Sequence, residues 1–283
     1  MERTGGNTGR AEKSRQPLIS IITVVLNGAD TLERAIKSVV AQKFRDLEYI
    51  IIDGGSTDGT LDVIRRYAPH LACWTSEPDK GVYDAMNKGV SLSKGRWVYF
   101  LGADDYLLDG FTSAAERLKE DTTLYYGDVY RPVMGRTYDG RFSAYKLACR
   151  NICHQSIFYP RRVWSRFSYN LKYPVLADYD LNLRCFADEG LRFEYIPETI
   201  AVFSDEGGLS PTRTDSAFEK DKPALIREIF PAWIYALMRA RSFFLELLAI
   251  MGLQRAVMAM YHSLLNVRSV HAAGKTGDRQ KGR

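Results

Sequence analysis

Short apolar runs alternate with amphipathic segments from residue 18 to about residue 118. Residues 18–26 are nearly all apolar, as expected for a strand buried on both faces of a parallel sheet. The next segment has apolar residues at helical spacing, and Asp30 with Glu33 predicts a capping box at its start. The same alternation predicts further strands at 47–52, 71–75 and 96–101 and further helices at 60–67 and 82–92. This order indicates a doubly wound, Rossmann-like α/β fold with a mostly parallel central sheet flanked by helices.

The pattern changes in the second half of the chain. Strands are predicted at 123–130 and 193–203, a helix at 181–189, and a polar loop at 207–223. Residues 224–267 are rich in Leu, Met, Phe and Ala, which predicts an apolar helical extension. No 18-residue window there is free of charge, which argues against a membrane-spanning helix. Two interpretations stay open: helices that lie on an anionic membrane surface, or helices that cover the sheet or form a dimer contact.

Charge is unevenly distributed along the chain. The net charge of +5 comes from the ends, because residues 1–16 carry +2 and 268–283 carry +4, whereas 17–267 carry −1. Residues 1–16 lack the apolar run of a signal peptide, so we predict a disordered leader and a cytoplasmic protein; 268–283 is predicted to be a basic disordered tail. Residues 17–223 form the predicted α/β domain. Its near-neutral charge disfavours nucleic acid as a partner.

Polar residues follow each of the first four predicted strands. They occur at 27–28, 53–59, 77–81 and 102–105. Ligands of open parallel sheets bind outside the carboxyl ends of the strands, so these residues are expected to share one cleft. Several carboxylates in one cleft repel each other, which favours a hard cation such as Mg²⁺ or Mn²⁺ bridging to a diphosphate. A nicotinamide-dependent dehydrogenase is disfavoured, because no Gly-x-Gly-x-x-Gly turn follows the first strand.

The motifs in this order resemble those of the inverting family 2 glycosyltransferases. The resemblance covers about residues 17–205 and rests on the segments 20–27, 49–60, 79–89, 101–105, 153–156 and 177–181. It is strongest for bacterial enzymes that build exopolysaccharide or lipopolysaccharide O-antigen repeat units. The resemblance implies the nucleotide-sugar-binding fold of two abutting α/β halves, here followed by the helical extension.

The resemblance also implies roles for individual residues. Asp53 is expected to hydrogen-bond the nucleobase, with Val24 and Leu26 flanking that base. Asp104 is expected to hold the ribose or diphosphate, and Asp105 to bind the metal ion. Many relatives have a third acid at the position of Gly102. The remaining substrate contacts are expected from Asn27, Ser56, Lys80, Asp84, His154 and Gln155.

Asp178 occupies the position of the catalytic base. The expected reaction moves a sugar from a nucleoside diphosphate to a hydroxyl with inversion, and Asp178 would take the hydroxyl proton. A metal ion would stabilise the leaving diphosphate. The acceptor is expected to be a saccharide, with a polyprenyl-diphosphate-linked one as a hypothesis, and the enzyme peripheral on the inner face of the cytoplasmic membrane. A non-catalytic nucleotide-sugar-binding relative is the alternative.

Two features keep open interpretations. His154 is either a structural hydrogen-bonding residue or part of the active site. Five tyrosines either line an acceptor cleft or pack within strands: Tyr125, Tyr126, Tyr130, Tyr138 and Tyr145.

Overall fold

The structure, a computed structural model, describes residues 3–5, 16–204 and 214–251. The chain divides into two compact units, Met1–Phe230 and Pro231–Arg283. The described part of the first unit is built on a ten-stranded sheet. The predicted boundary between 223 and 224 falls inside a helix, α8, which spans Ser216–Ile229.

The sheet contains two groups of parallel strands. In sequence the strands are β1 (Arg3–Gly5), β2 (Ile19–Val25), β3 (Leu47–Asp53), β4 (Cys73–Ser76), β5 (Trp97–Phe100), β6 (Tyr106–Leu107), β7 (Thr123–Arg131), β8 (Arg136–Tyr138), β9 (Ile157–Pro160) and β10 (Arg192–Val202). Their order is β1-β4-β3-β2-β5-β9-β7-β10-β6, with β8 paired to β7. Strands β4, β3, β2 and β5 are parallel, as are β7 and β10, and β9 joins the two groups through antiparallel pairing.

Helices flank this sheet. They are α1 (Ala29–Val40), α2 (Thr60–Tyr67), α3 (Val82–Leu92), α4 (Gly110–Ala115), α5 (Ala144–Cys149), α6 (Arg161–Arg166), α7 (Ala177–Ala187) and α8, with 3₁₀ turns at Ala68–His70 and His154–Ser156. The apolar stripe of α1 buries Leu32, Ile36 and Val39 in the same core as Ile21 and Ile51 of the sheet. The α/β fold is therefore as the sequence predicts, and α2 and α3 have the predicted bounds.

The predicted capping box at the start of α1 is wrong. Gly28 is the N-cap residue and no side chain caps the helix from that position. The free backbone amides there are instead bonded from the loop after β3: Gly28 N donates to Thr60 Oγ1 (2.9 Å) and Ala29 N donates to Asp58 Oδ2 (3.0 Å). A cap supplied by a neighbouring loop lets the helix begin before Asp30.

The predicted polar loop at 207–223 is wrong from Ser216 onward, because α8 begins there. Asp215 precedes the helix, and its carboxylate accepts a hydrogen bond from Phe218 N (3.1 Å), which is a side-chain N-cap. Residues 205–213 lie outside the described residues. The helix predicted at 181–189 is α7, which begins four residues earlier, at Ala177.

Both ends of the chain lie largely outside the described residues. Within the predicted leader, Arg3–Gly5 form β1, paired antiparallel with β4, a strand that the leader prediction does not include. The rest of 1–15, residues 252–267 of the helical extension and the predicted tail at 268–283 are not described. In the second unit, α9 spans Ala232–Ile250. No helix among the described residues combines the length and apolar character needed to cross a bilayer.

Candidate active site

The loops after β2 and β3 are joined by hydrogen bonds. Asn27 has a positive φ of 53°, a conformation that asparagine tolerates better than most residues. Its backbone N donates to Ser56 Oγ (2.7 Å), and its Oδ1 accepts from Thr57 N (2.9 Å). Asn27 and Ser56, which are predicted to contact the substrate, therefore join the loops after β2 and β3.

Asp53 ends β3 and is completely buried, at 0% exposure. Its Oδ2 accepts from Gly55 N (3.2 Å), Ser56 N (3.0 Å) and Ser76 Oγ (2.6 Å), and its Oδ1 accepts from Ser56 Oγ. Both carboxylate oxygens thus have donors within the protein. The structure places the expected nucleobase-binding residue beneath the cleft surface, where it shapes the loop after β3.

The two apolar residues expected to flank a nucleobase both retain exposed surface. Leu26 exposes 60% of its surface at the end of β2, and Val24 is half-buried two residues before it. Asp84 lies in the first turn of α3, where its Oδ2 accepts from Lys80 N (3.0 Å) and lies 3.7 Å from Lys88 Nζ. Asp84 therefore stabilises the start of α3. Lys80, another residue predicted to contact the substrate, is exposed.

Asp105 and Asp104 follow β5. Asp105 is 1% exposed, and its Oδ2 accepts from Gln155 Nε2 (2.7 Å) while its Oδ1 accepts from Ser204 N (2.7 Å). Burial, and secondarily the charge of Asp104, raises the pKa of Asp105 to about 6. Burial also raises the pKa of Asp104, which is half-buried and whose carbonyl accepts from Arg34 Nη2 (2.6 Å).

Gly102 explains why two acids and not three occupy this loop. A Cβ at Gly102 would clash with Oδ2 of Asp105 and lie 2.9 Å from Oδ1 of Asp104. The carboxylates of Asp104 and Asp105 therefore converge on the space that a side chain at position 102 would fill. A third acid at this position needs a different arrangement of the other two.

Asp178 lies in the first turn of α7 and is 7% exposed. Its Oδ1 accepts from Tyr83 Oη (2.9 Å), and its Oδ2 accepts from Asn151 Nδ2 (2.8 Å). Asn151 is held in turn, because its Oδ1 accepts from Asn182 Nδ2 (2.8 Å). These donors fix the orientation of the carboxylate.

His154 links Asp178 to the aspartate pair. Its Nδ1 is 3.5 Å from Asp178 Oδ2, and it lies close enough to Asp104 and Asp105 to interact electrostatically with both carboxylates. The next residue, Gln155, is buried, and its amide contacts Asp105. The structure therefore brings Asp178, Asp104, Asp105 and His154 into one site, and it places Gln155 behind Asp105.

Sequence reasoning did not identify Tyr83 or Asn151. Both hydrogen-bond Asp178 from segments 95 and 27 residues away in the chain. The sequence does place both residues in or near motifs of the family resemblance. Tyr83 lies in the segment 79–89, and Asn151 precedes the segment 153–156 by two residues.

The aspartate pair has the chemistry of a divalent cation site. Asp104 and Asp105 offer hard oxygen donors, and their repulsion contributes to the raised pKa of Asp105, which a cation would relieve. Within the described residues, no three His, Cys, Asp or Glu side chains form a ready-made metal cluster. Each oxygen of Asp105 accepts one internal hydrogen bond and keeps a second lone pair, so the two carboxylates fit a cation that takes its remaining ligands from elsewhere.

A cavity of about 230 Å³ lies beside the second parallel group and contains none of the predicted site residues. Tyr126 lines it, whereas Tyr125 packs against Trp97, with ring centroids 6.3 Å apart. The lining residues are Tyr126, Arg141, Phe142, Ser143, Leu147, Ile152, Phe186, Leu191, Phe193 and Tyr195. Of the five tyrosines, Tyr126 thus borders a cavity and Tyr125 is a core residue.

Comparison with known proteins places this geometry in context. The sequence model described as glycosyl transferase family 2 matches residues 20–196. A protein of Mycobacterium bovis (strain BCG / Pasteur 1173P2), named PGL/p-HBAD biosynthesis glycosyltransferase, is 41% identical over 220 residues, which cover 75% of this chain and 86% of the relative.

Two solved structures share the fold. The mannosyltransferase PcManGT from Pyrobaculum calidifontis, in complex with GDP-Man and Mn²⁺, has a TM-score of 0.56 at 20% identity, covering 89% of this chain and 81% of that one. S. aureus TarS 1–349 in complex with UDP-GlcNAc has a TM-score of 0.57 at 16% identity, covering 75% and 65% respectively. These similarities confirm the predicted nucleotide-sugar-binding glycosyltransferase fold.

Proposed function

The chain belongs to glycosyl transferase family 2, and from this premise we propose that it moves a sugar from a nucleoside diphosphate to a hydroxyl of a saccharide, with inversion at the anomeric carbon. The protein is a glycosyltransferase. The observation that carries the proposal is the placement of one oriented carboxylate, Asp178, beside His154 and the pair Asp104–Asp105.

Asp178 is the proposed catalytic base. A hydroxyl is a weak nucleophile at neutral pH, so a carboxylate must take its proton as the new glycosidic bond forms. Tyr83 and Tyr179 N donate to Oδ1 and Asn151 donates to Oδ2, which orients the carboxylate and leaves a lone pair of Oδ2 for the acceptor hydroxyl. A single displacement breaks the bond between the anomeric carbon and the diphosphate oxygen, so no covalent enzyme intermediate is needed.

Asp104 and Asp105 are the proposed residues for a divalent cation, Mg²⁺ or Mn²⁺. When bound, this cation supplies positive charge to the leaving diphosphate. Gln155 and Ser204 fix the Asp105 carboxylate from behind, and Arg34 fixes the backbone at Asp104. The Mn²⁺ in the PcManGT complex supports this part of the proposal.

The donor is proposed to be a nucleoside diphosphate sugar. TarS 1–349 was solved with UDP-GlcNAc and PcManGT with GDP-Man, so both uridine and guanosine donors occur on this fold. For the acceptor we propose a saccharide, carried on a polyprenyl diphosphate in surface polysaccharide synthesis. An acceptor screen should also include the acceptors implied by the name of the relative, PGL/p-HBAD biosynthesis glycosyltransferase, as the alternative to a polyprenyl-linked saccharide.

We propose that α9 brings the enzyme to the inner face of the cytoplasmic membrane. Its exposed large hydrophobic residues include Trp233, Phe243 and Phe244, and its exposed Arg239 and Arg241 can meet anionic headgroups. An amphipathic or apolar helix of this kind lies in the interface and does not span it. A lipid-linked acceptor would then be presented at the same surface.

The decisive experiment is a transfer assay on Asp178→Asn. A panel of UDP-, GDP- and dTDP-sugars with Mn²⁺ or Mg²⁺ first identifies the donor by nucleotide release. Loss of a general base lowers the rate by about 10²–10⁴-fold, so Asp178→Asn should lose transfer while its donor binding stays unchanged.

Asp180→Asn is the matched control. Asp180 lies on the same turn of α7, is also buried, and pairs with Arg184 (2.7 Å). This variant should stay within a few-fold of the unsubstituted enzyme. Near-normal turnover by Asp178→Asn would show that Asp178 is not the catalytic base. Donor binding by the unsubstituted protein with no transfer to any acceptor would favour a non-catalytic binding protein.

A further inference from the structure

Gly54, which follows β3, leaves a space that a carboxylate from another loop fills. A Cβ at Gly54 would lie 2.5 Å from Asp79 Oδ2 and 3.5 Å from Leu26 Cδ1. Asp79 belongs to the loop between β4 and α3. Its carboxylate therefore reaches across the carboxyl end of β3 and lies next to the exposed side chain of Leu26.

One oxygen of Asp79 is fixed and the other is available. Oδ1 accepts from Gly81 N (2.8 Å), which orients the carboxylate at the start of α3. Across the described parts of the chain, no residue donates a hydrogen bond to Oδ2. Asp79 is half-buried, so part of the residue is accessible to solvent. Asp53, by contrast, is fully buried and accepts at both oxygens from within the protein.

We propose that Asp79, and not Asp53, hydrogen-bonds the nucleobase of the donor. This inference rests on the proposed function, because it assigns a residue to the donor site of that reaction. The base lies against Leu26 and Val24, and its hydrogen-bonding edge faces Oδ2 of Asp79. The small size of Gly54 is what admits this carboxylate to the end of β3.

A carboxylate selects bases by the protons on their edge. A carboxylate accepts hydrogen bonds and donates none. Uracil and thymine present the imide N3–H, and guanine presents N1–H and the exocyclic amine. Cytosine and adenine present an unprotonated ring nitrogen at the corresponding position. The enzyme is thus specific for a UDP-, dTDP- or GDP-sugar and discriminates against CDP- and ADP-sugars.

Nucleotide binding tests this assignment without requiring the acceptor. Calorimetry with UDP, dTDP, GDP, CDP and ADP in the presence of Mn²⁺ gives the selectivity of the unsubstituted protein. Asp79→Asn is nearly isosteric and places a donor beside the base edge. This substitution should lower the affinity for the preferred nucleotide by about 10- to 100-fold and reduce the ratio of that affinity to the affinity for CDP.

Moving the carboxylate is the sharper test. Gly54→Asp alone places a second carboxylate against Asp79 and should weaken binding, whereas Gly54→Asp combined with Asp79→Gly returns one carboxylate to the same space and should restore selectivity. Glu77→Gln is the control on the same loop, since the Glu77 carboxylate pairs with Lys88 (3.0 Å). Its nucleotide affinity should change less than twofold.

The outcomes separate the two proposals. If no nucleoside diphosphate binds the unsubstituted protein, the proposed function fails. If a nucleotide binds and Asp79→Asn keeps both its affinity and its selectivity, the assignment of Asp79 is overturned while the proposed function stands. Melting temperatures of all variants, measured without nucleotide, identify any loss of folding.

Discussion

Replacing Asp105 by asparagine removes a buried charge whose cost depends on pH. Burial raises the pKa of Asp105 from 3.8 to about 6 in the folded protein. The folded state therefore binds this proton more tightly than the unfolded state does, and folding loses stability as the pH rises through this range. The whole shift corresponds to about 3 kcal/mol at pH values above both pKa values.

The effect is measurable between pH 8 and pH 5. For a pKa of 3.8 in the unfolded state and about 6 in the folded state, acidification over this range stabilises the unsubstituted protein by about 1.4 kcal/mol at this one group. Asp105→Asn lacks this group, so the difference in unfolding free energy between the two proteins should change by that amount. Changes in the hydrogen bonds to Gln155 and Ser204 contribute equally at both pH values and cancel.

Urea unfolding followed by circular dichroism, in the presence of a chelator, gives the required free energies. Asp109→Asn, which removes an exposed carboxylate from the same segment, is the control and should parallel the unsubstituted protein. If the unfolding free energy of Asp105→Asn changes with pH as that of the unsubstituted protein does from pH 8 to pH 5, Asp105 does not carry a destabilising charge. The reasoning from its burial is then refuted.

Three further predictions concern the metal ion, the loop after β5 and α9. Chelation of divalent ions should stop transfer and added Mn²⁺ or Mg²⁺ should restore it; unchanged activity in chelator would exclude the proposed cation. Gly102→Ala should displace the carboxylates of Asp104 and Asp105 and lower the initial rate at least about tenfold, whereas Ala103→Gly should not; equal rates would show that the loop adjusts freely. A Phe243→Ser/Phe244→Ser variant should co-sediment less with phosphatidylglycerol vesicles, and equal co-sedimentation would contradict membrane binding by this helix.

Local periodicity predicted the first half of the fold closely. Helices α2 and α3 have clear apolar stripes, and glycines 59 and 81 with positive φ precede them, so their bounds are visible in the sequence. Helices α4, α5 and α6 have six residues each, too few for a periodic pattern. Their positions depend on tertiary contacts. The first eight residues of α8, 216–223, were predicted to be a loop because their charges and Pro223 are typical of one, although Asp215 caps the helix.

The candidate site was predictable as a set of carboxylates but not as a set of contacts. The grouping of Asp105, His154 and Asp178 follows from motifs in the chain. Which donors each carboxylate meets does not, because those donors come from distant segments. Asp53 shows the difference. The sequence identifies it as a polar residue at the end of a strand, whereas the structure shows that it is fully buried and accepts four hydrogen bonds from within the protein.

Helix α3 connects the loop that carries Asp79 to the proposed catalytic base, Asp178. The loop that leads into it carries Asp79 and Lys80, and its second residue, Tyr83, donates to Asp178. Because Tyr83 lies in the first turn of α3, a displacement of that turn would move its hydroxyl. Chimeras that exchange the donor-binding half between relatives should therefore inherit Tyr83 and Asp178 from the same parent, or lose turnover while still binding the new nucleotide.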